Sequence, residues 1–225
     1  APPAGRSVDP EAPERIFSWH GTTGAGEQDP RVQAYAHYVL ALSGRADEPT
    51  VAALVNRRGE MDAFSLAALA VALDKVGRED LSEQVLDTLE ATAVQTVTTV
   101  SWPVNWDDHR YYWYYWYAMS NTEKNTAMAL HALATLRPES PLAPKAARWL
   151  MENRWGAGWR TTQGTAFAVL GLTDYIIASG ELQAAYDWTV SLDGRVLGTG
   201  TVNRDNIIQR IPPIVMDGTD LTPGA

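Results

Sequence analysis

A repeated helical pattern constrains the fold of this chain more than any other sequence feature. Four stretches rich in alanine and leucine, each long enough for a helix, are followed by a more polar helix or loop. Because small side chains let helix axes approach closely, these stretches are expected to form an inner layer with the polar helices outside. They begin near Tyr35, Phe64, Thr126 and Thr165. The pattern predicts a mainly α protein, a partial α/α toroid of about seven helices, with an irregular helical bundle as the alternative.

Local end signals place the helices along the chain. Asp29-Pro30 and Asp47-Glu48-Pro49 put a capping side chain before a proline in the first turn. Gly44, Gly77 and Gly180 follow the last residue of three segments, where glycine commonly ends a helix. The expected ranges are 29–43, 47–58, 61–76, 79–97 with a frayed end, 122–136, 142–153 and 161–179.

The hydrophobic period changes after Gly180. Large apolar residues alternate with polar ones from 188 to 192, and Asp193-Gly194 is typical of a hairpin turn. Two further strands are expected at Ile207-Ile208 and Ile214-Val215. The sequence therefore predicts a short antiparallel β segment after the helices. The expected domains are an extended arm at 1–17, a helical domain at 18–182 and an incomplete β segment at 183–225.

Charge and cysteine content exclude several classes of function. The formal net charge is −9, so no nucleic-acid partner is expected, because phosphate binding needs a basic surface. Without cysteine the chain has no disulfide, no thiolate metal site and no cysteine nucleophile. The four histidines lack metal-ligand spacing, so neither a metal nor another cofactor is predicted. No apolar run reaches the ~18 residues that a membrane span needs.

The densest aromatic stretch, residues 102–117, has two interpretations. As a functional element it stacks its rings on sugars, with Trp113 and Trp116 as the binding residues of a carbohydrate-binding module. In a carbohydrate-active α/α-toroid enzyme, Asp107 or Asp108 would act with Glu123 as acid and base in glycoside hydrolysis. As a structural element, the same rings pack over the helical core with their hydroxyls in water. The structural interpretation is preferred, and the carbohydrate functions are the alternative.

The most specific stretch of the sequence runs from Trp149 to Leu172. Its glycines turn the chain sharply after one helix, and Trp159 is placed to fill the gap between helices. Thr161 or Thr162 then caps the next helix. These are structural tasks, and no catalytic role follows from them.

This stretch resembles the thioester-containing helical domain of the alpha-2-macroglobulin and complement family. The shared pattern is a tryptophan-leucine helix end, a glycine-rich turn with an aromatic residue, two threonines and a glutamine, and an alanine-rich helix. Gly164 departs from it, since that family usually has aspartate or alanine there. Segment order from about residue 18 onwards is similar to bacterial members, as at Asp29-Pro30 and Ala34-Tyr35. By this resemblance the chain is the C-terminal half of that domain, plus the start of the β segment that follows it.

The resemblance implies a non-catalytic fragment of a broad-spectrum peptidase inhibitor, a protease trap that is periplasmic, extracellular or at the cell surface. The implied partners are proteases, through the full-length parent, and other domains of the parent chain. By the resemblance, the family's cysteine–glutamine thioester would precede residue 1. The similar stretch Gly24–Gln28 has Ala25 in the cysteine position, so it cannot form a thioester and is interpreted as a loop. His20 is the one candidate thioester partner. Half a toroid exposes its inner helices, so a homodimer through that face is expected.

Overall fold

The structure, a computed structural model, describes residues 29–104, 121–183, 185–206, 209 and 213–215. Within these ranges the mainly α fold is confirmed, with seven α-helices followed by an antiparallel two-stranded sheet. The helices are α1 (Pro30–Leu42), α2 (Glu48–Ala53), α3 (Ala63–Lys75), α4 (Glu79–Ala91), α5 (Thr122–Leu136), α6 (Leu142–Glu152) and α7 (Thr162–Ser179). Short 3-10 helices cover Leu54–Glu60 and Glu181–Gln183. None of the described helices is long and apolar enough to cross a membrane.

Side-chain caps explain where four of these helices begin. The capping residue is Asp29 in α1, Asp47 in α2, Asp62 in α3 and Asn121 in α5, and each accepts a backbone N–H from the first turn. The bond satisfies one of the donors that a helix start leaves without an intrahelical partner. In α5 the Oδ1 atom of Asn121 accepts the N–H of Lys124 at 2.7 Å. Helix starts are therefore a local property that the sequence displays directly.

Burial separates the helices of the described chain into two layers. Every residue of α3 from Ala63 to Leu73 is buried, as is every residue of α5 from Glu123 to Ala134. By contrast, α4 and α6 are amphipathic and bury one face each. α3 packs against both α1 and α5, and its alanines let both neighbours come close. From α3 to α6, wholly buried helices thus alternate with helices that bury one face, in the order that the repeats predict. α1 and α7, which are also predicted to be inner helices, are buried only in part.

The segment after α4 departs from the prediction. The sequence favours a fourth helix that frays towards Val97, whereas α4 ends at Ala91 and a short hairpin follows. Strand β1 (Val94–Gln95) is antiparallel to β2 (Val100–Ser101). The stretch is rich in valine and threonine, whose branched side chains favour extended backbone. Thr96 stabilises the turn, because its hydroxyl oxygen accepts the N–H of Thr99 at 2.9 Å.

The chain divides into two compact units, Ala1–Tyr175 and Ile176–Ala225. In the second unit β3 (Tyr186–Leu192) pairs with β4 (Arg195–Val202) in the antiparallel hairpin that the sequence predicts. The turn at Asp193-Gly194 has φ values of 51° and 80°, a left-handed conformation that aspartate and glycine tolerate.

One strand prediction for the second unit is wrong. Ile214 and Val215 are not in a strand. Pro213 immediately before them has no N–H to donate to a ladder, which disfavours strand pairing at this point. The other predicted strand, Ile207-Ile208, lies outside the described residues.

Gly200 lies under the ring of Trp188, and a single methyl group there is expected to weaken the hairpin. A Cβ at this position would lie 2.6, 2.7 and 2.8 Å from three ring atoms of Trp188. We expect Gly200→Ala to lower the local opening free energy by about 1–3 kcal/mol, since the ring must shift away from the strand. Amide hydrogen exchange in β3 and β4 measures this. In the control Gly198→Ala, the nearest atom is the flexible end of Ile214 at 2.9 Å, so an equal loss there would contradict the prediction.

Candidate functional site

Most residues that the sequence singles out for chemistry lie outside the described residues, namely His20, Asp107, Asp108, Trp113 and Trp116. Glu123, the remaining member of the predicted acid–base pair, lies in the first turn of α5 with its side chain 12% exposed. Its carboxylate is 3.7 Å from the guanidinium Nε of Arg160. Among the described residues, no three His, Cys, Asp or Glu side chains form a cluster able to hold a metal ion. Glu123 is therefore paired with a cation. This arrangement fits a structural role as well as it fits the predicted acid–base role.

A hydrogen-bonded chain of three side chains crosses the inner layer, and we call Tyr38, His131 and Asp174 the polar centre. Tyr38 belongs to α1, His131 to α5 and Asp174 to α7. The Oη atom of Tyr38 is 3.3 Å from Nε2 of His131, and Nδ1 of His131 is 2.6 Å from Oδ2 of Asp174. The Tyr38 and His131 rings meet edge-on with their centroids 6.0 Å apart. The polar centre thus joins three helices that are far apart in the sequence.

The polar centre has a consistent arrangement of protons. A carboxylate only accepts hydrogen bonds, so Asp174 accepts the Nδ1–H of His131. When His131 carries its only ring proton on Nδ1, Nε2 is an acceptor and the Tyr38 hydroxyl donates to it. Burial raises the pKa of the Tyr38 hydroxyl, and Tyr35 and Asp174 act in the same direction. Tyr38 therefore keeps the proton that it donates.

Acyl-transfer triads contain a hydroxyl, an imidazole and a carboxylate in the same order, but their hydroxyl is accessible to the substrate. In the polar centre the hydroxyl and the imidazole are buried. Tyr38 is 6% exposed and His131 is 8% exposed. The hydroxyl is thus covered by protein and is not presented to a substrate. A buried hydrogen-bond chain with paired polar atoms favours one packing arrangement over its competitors. The chemistry of the polar centre accordingly suits the positioning of α1, α5 and α7.

Removing the carboxylate of the polar centre is expected to destabilise the helical unit. In Asp174→Ala, Nδ1–H of His131 loses its partner, and a buried donor without a partner costs about 1–3 kcal/mol. Urea denaturation followed by circular dichroism measures the loss, with Glu152→Ala on the exposed side of α6 as the charge-matched control. Combining Asp174→Ala with Tyr38→Phe tests the chain as a unit. Strictly additive losses in that double variant would contradict coupling through His131.

Tyr38 also predicts how the fold responds to alkali. Because burial raises the pKa of its hydroxyl, the unfolded chain releases this proton at a lower pH than the folded chain. The contribution of Tyr38 is complete below about pH 10, the unfolded value, and is lost as the pH rises through the folded value. We expect Tyr38→Phe to flatten the fall in unfolding free energy above about pH 10, with the exposed Tyr186→Phe as control. Identical alkaline profiles for Tyr38→Phe and the parent would refute this.

A buried lysine lies against an aromatic cluster at the N-terminal end of the inner helices. The cluster consists of Tyr35, Phe64 and Phe167, and the Phe64 centroid is 5.3 Å from that of Tyr35 and 5.0 Å from that of Phe167. Nζ of Lys124 lies 4.3 Å from the Phe64 centroid. Burial lowers the pKa of the Lys124 amine, and the charge of Asp62 opposes this. A cation–π contact therefore joins α5 to the Phe64 ring of α3, which in turn packs against rings from α1 and α7.

The glycine-rich corner before α7 has the structural role that its sequence predicts. Nε1 of Trp159 donates to the carbonyl oxygen of Leu150 at 2.9 Å, which ties the corner to the end of α6. Thr161 caps α7, since its hydroxyl oxygen accepts the N–H of Gly164 at 2.9 Å. The side-chain amide of Asn121, the cap of α5, donates to the same oxygen at 3.0 Å. The starts of two inner helices are thereby joined.

Comparison with known proteins finds solved structures with a similar fold. No protein-family model and no curated protein matches the sequence. One similar structure is native alpha-2-macroglobulin from Escherichia coli, spanning domain MG7 to the C-terminus, with TM-score 0.57, 21% identity, and coverage of 89% of this chain and 32% of that one. Salmonella alpha-2-macroglobulin reacted with methylamine has TM-score 0.55, 22% identity, and coverage of 89% and 13%. Escherichia coli alpha-2-macroglobulin activated by porcine elastase has TM-score 0.56, 20% identity, and coverage of 89% and 18%.

This chain has the fold of a segment of bacterial alpha-2-macroglobulins. The likeness in fold that the sequence predicts is therefore confirmed over 89% of the chain. The chain spans about a third of the first of these structures and less of the other two, at 32%, 13% and 18%. Most of an alpha-2-macroglobulin polypeptide thus has no counterpart in the sequence described.

Two of the helices that the sequence predicts to be inner, α1 and α7, expose apolar residues. On α1 the exposed apolar side chains include Val32, Val39 and Leu42. On α7 they include Val169 and Leu170. Inner helices elsewhere in the described chain, α3 and α5, are buried almost throughout. Exposed apolar helix faces of this kind are typical of surfaces that another element covers.

Proposed function

We propose that this chain is the C-terminal half of the helical thioester domain of a bacterial alpha-2-macroglobulin, with the start of the β segment that follows. In this proposal the chain catalyses nothing by itself and forms part of a broad-spectrum peptidase inhibitor. The observation that carries the proposal is the likeness in fold to bacterial alpha-2-macroglobulins over 89% of the chain. The burial of the polar centre supports a scaffolding role. The three similar structures described above are alpha-2-macroglobulins, and none is a carbohydrate-active protein.

The proposed partners act through the parent protein. They are proteases, which the full-length parent traps, and the other domains of the parent chain. Two of the similar structures are of alpha-2-macroglobulins reacted with methylamine or activated by elastase, which supports this assignment. The proposed location of the parent is the periplasm, the cell surface or the medium. A thioester would be supplied by a part of the parent upstream of this chain, with His20 as the proposed acyl-transfer partner.

The parent polypeptide provides the test of this function. Its reading frame is expected to encode a cysteine-containing thioester motif and further helices upstream of this chain. Methylamine treatment of the purified parent should then release one thiol, and elastase incubated with the parent should lose activity on protein substrates. The matched control replaces the thioester cysteine by alanine, which should abolish thiol release. A parent without the upstream helices, or one that leaves elastase fully active, would refute the proposal.

The isolated chain is proposed to pair with a second copy through the exposed apolar residues of α1 and α7. Burying such residues is favourable, and homodimers commonly form through one shared patch. Sedimentation velocity should detect a dimer, and the combined change of Val39→Glu and Leu170→Glu should return it to a monomer. Val97→Glu is the control, since Val97 is 91% exposed outside these two helices. A monomer at every concentration would rule out this pairing.

A further inference from the structure

The loop between α6 and α7 projects an apolar and basic surface, which we call the Trp155 tip. Arg154, Trp155 and Arg160 lie in the loop itself, and the tip also includes Arg148 and Met151, two exposed residues near the end of α6. Trp155 is 79% exposed, Met151 is 51% exposed and the side chain of Arg160 is 81% exposed. Among the tryptophans within the described ranges, only Trp155 is exposed. An indole this open to water contributes nothing to the packing of the fold, so its presence calls for another explanation.

The Trp155 tip is held in a defined conformation. The N–H of Trp155 donates to the carbonyl oxygen of Gly158 at 2.9 Å, and the N–H of Gly158 donates back to Trp155 at 3.2 Å. Nε of Arg154 donates to the carbonyl oxygen of Gly156 at 3.0 Å, so this side chain lies along the turn. Trp159 fixes the base of the turn to the carbonyl of Leu150. Because these backbone groups are already paired, the turn can enter a less polar medium without leaving them unsatisfied.

The charge around the tip is opposite to that of the whole chain. Residues 145–160 contain four basic side chains, Lys145, Arg148, Arg154 and Arg160, and one acidic side chain, Glu152, whereas the formal net charge of the chain is −9. Glu123 offsets part of the charge of Arg160, with their atoms 3.7 Å apart. Charges more than about 10 Å away are largely screened at ordinary ionic strength, so the local basic excess decides what the tip attracts. An anionic partner is therefore favoured.

The size and shape of the tip select among anionic partners. A stable protein interface buries about 800 Å² on each side, which one turn with a single indole and one methionine does not supply. A lipid surface needs no such area, because tryptophan enters at the level of the headgroups while arginine stems reach the phosphates. We propose that the Trp155 tip binds the surface of an anionic lipid bilayer, with Trp155 inserted among the headgroups and the arginines paired with phosphates. The chain is then a peripheral lipid-binding element in addition to a structural one.

Vesicles of phosphatidylglycerol and phosphatidylcholine in equal parts are the probe, with pure phosphatidylcholine vesicles as the neutral arm. Co-sedimentation of the intact chain gives the partition coefficient. We expect Trp155→Ala to lower it about tenfold and each of Arg154→Ala and Arg160→Ala to lower it about fivefold. Rising salt should weaken binding further. Val97→Ala and Lys75→Ala remove an exposed apolar and an exposed basic side chain elsewhere, and should leave it unchanged.

Different outcomes of these experiments would contradict lipid binding or indicate another ligand for the tip. Equal binding to neutral vesicles, or binding that survives all three tip substitutions, would overturn the proposal. So would the absence of binding to anionic vesicles at an ionic strength of about 0.1 M, where distant charges are screened. Inorganic phosphate added at the same phosphate concentration should not displace the chain, and displacement would indicate a site for free anions instead. If the tip substitutions abolish self-association and leave vesicle binding intact, the tip is a protein contact. Circular dichroism of each variant confirms that the helices remain folded.

Discussion

Replacement of Trp102 by alanine is expected to lower the unfolding free energy of the helical unit by about 3–5 kcal/mol. Trp102 is 1% exposed and is the largest of the fully buried side chains in the described core. Its indole Nε1 donates to the carbonyl oxygen of Leu89 at 2.8 Å, and its backbone N–H donates to the hydroxyl oxygen of Thr126 at 3.1 Å. The side chain therefore fills the space where the hairpin after α4 meets α5. Alanine would leave a cavity that the surrounding helices cannot close completely.

Two further variants separate the causes of this effect. Trp102→Phe keeps most of the apolar volume but loses the indole donor, and the Leu89 carbonyl retains a bond from the Thr92 hydroxyl at 2.8 Å. It should therefore lose less stability than alanine. Trp155→Ala removes the same side chain from a position that is 79% exposed and should change stability by less than about 0.5 kcal/mol. Urea denaturation monitored by circular dichroism compares the three. Similar losses for Trp102→Ala and Trp155→Ala would show that burial is not the cause.

A side chain at Gly171 is expected to separate α7 from α5. A Cβ there would lie 2.3 Å from the carbonyl oxygen of Ala127 and 3.4 Å from the backbone nitrogen of His131. These are backbone atoms of a buried helix, so neither can rotate aside. Glycine in a helix interior normally lowers stability by about 0.5–1 kcal/mol relative to alanine. The close packing of α7 on α5 accounts for a glycine at position 171. We expect Gly171→Val to destabilise the helical unit by about 3 kcal/mol.

The same substitution should also disturb the polar centre. Asp174 follows Gly171 by one helical turn, so any outward movement of α7 lengthens the hydrogen bond between Asp174 and His131. The histidine Nδ1–H resonance in proton NMR reports that bond, and urea denaturation reports the stability. Gly59→Val is the control, because nothing lies within 4 Å of a Cβ at Gly59. A stable Gly171→Val protein with an unchanged His131 resonance would refute the close helix contact.

The helices were predictable because their signals are local. Caps such as Asp29 and Asp47 lie within three residues of the backbone groups that they bind. Alternation of inner and outer layers was predictable as well, since a helix buried on all sides, such as α3, must consist of small and apolar residues. The hairpin between α4 and Trp102 was missed because its residues also fit a fraying helix. The burial of Val100 and Trp102 favours the hairpin over the helix, and this burial depends on the tertiary structure.

The polar centre was not predicted, although one signal was present. His131 stands between Leu130 and Ala132 in an alanine-rich helix, and such a position is unfavourable for a polar ring without partners. The sequence does not indicate which partners these are. Tyr38 is 93 residues away from His131 along the chain and Asp174 is 43 residues away. Only the packing of α1 and α7 beside α5 brings them within reach.

By itself the sequence determined the fold class, the helix starts and the glycine-rich corner, because each depends on interactions within a few residues or on a repeated pattern of side-chain size. The tertiary structure alone decided which polar groups meet. Arg137 illustrates this, since it contacts Glu83, Asp87 and Glu90 on α4, about a helical turn apart from one another and 47–54 residues away in the chain. Hydrogen bonds and ion pairs act over a few ångströms, so they form only after helix packing has fixed the distances.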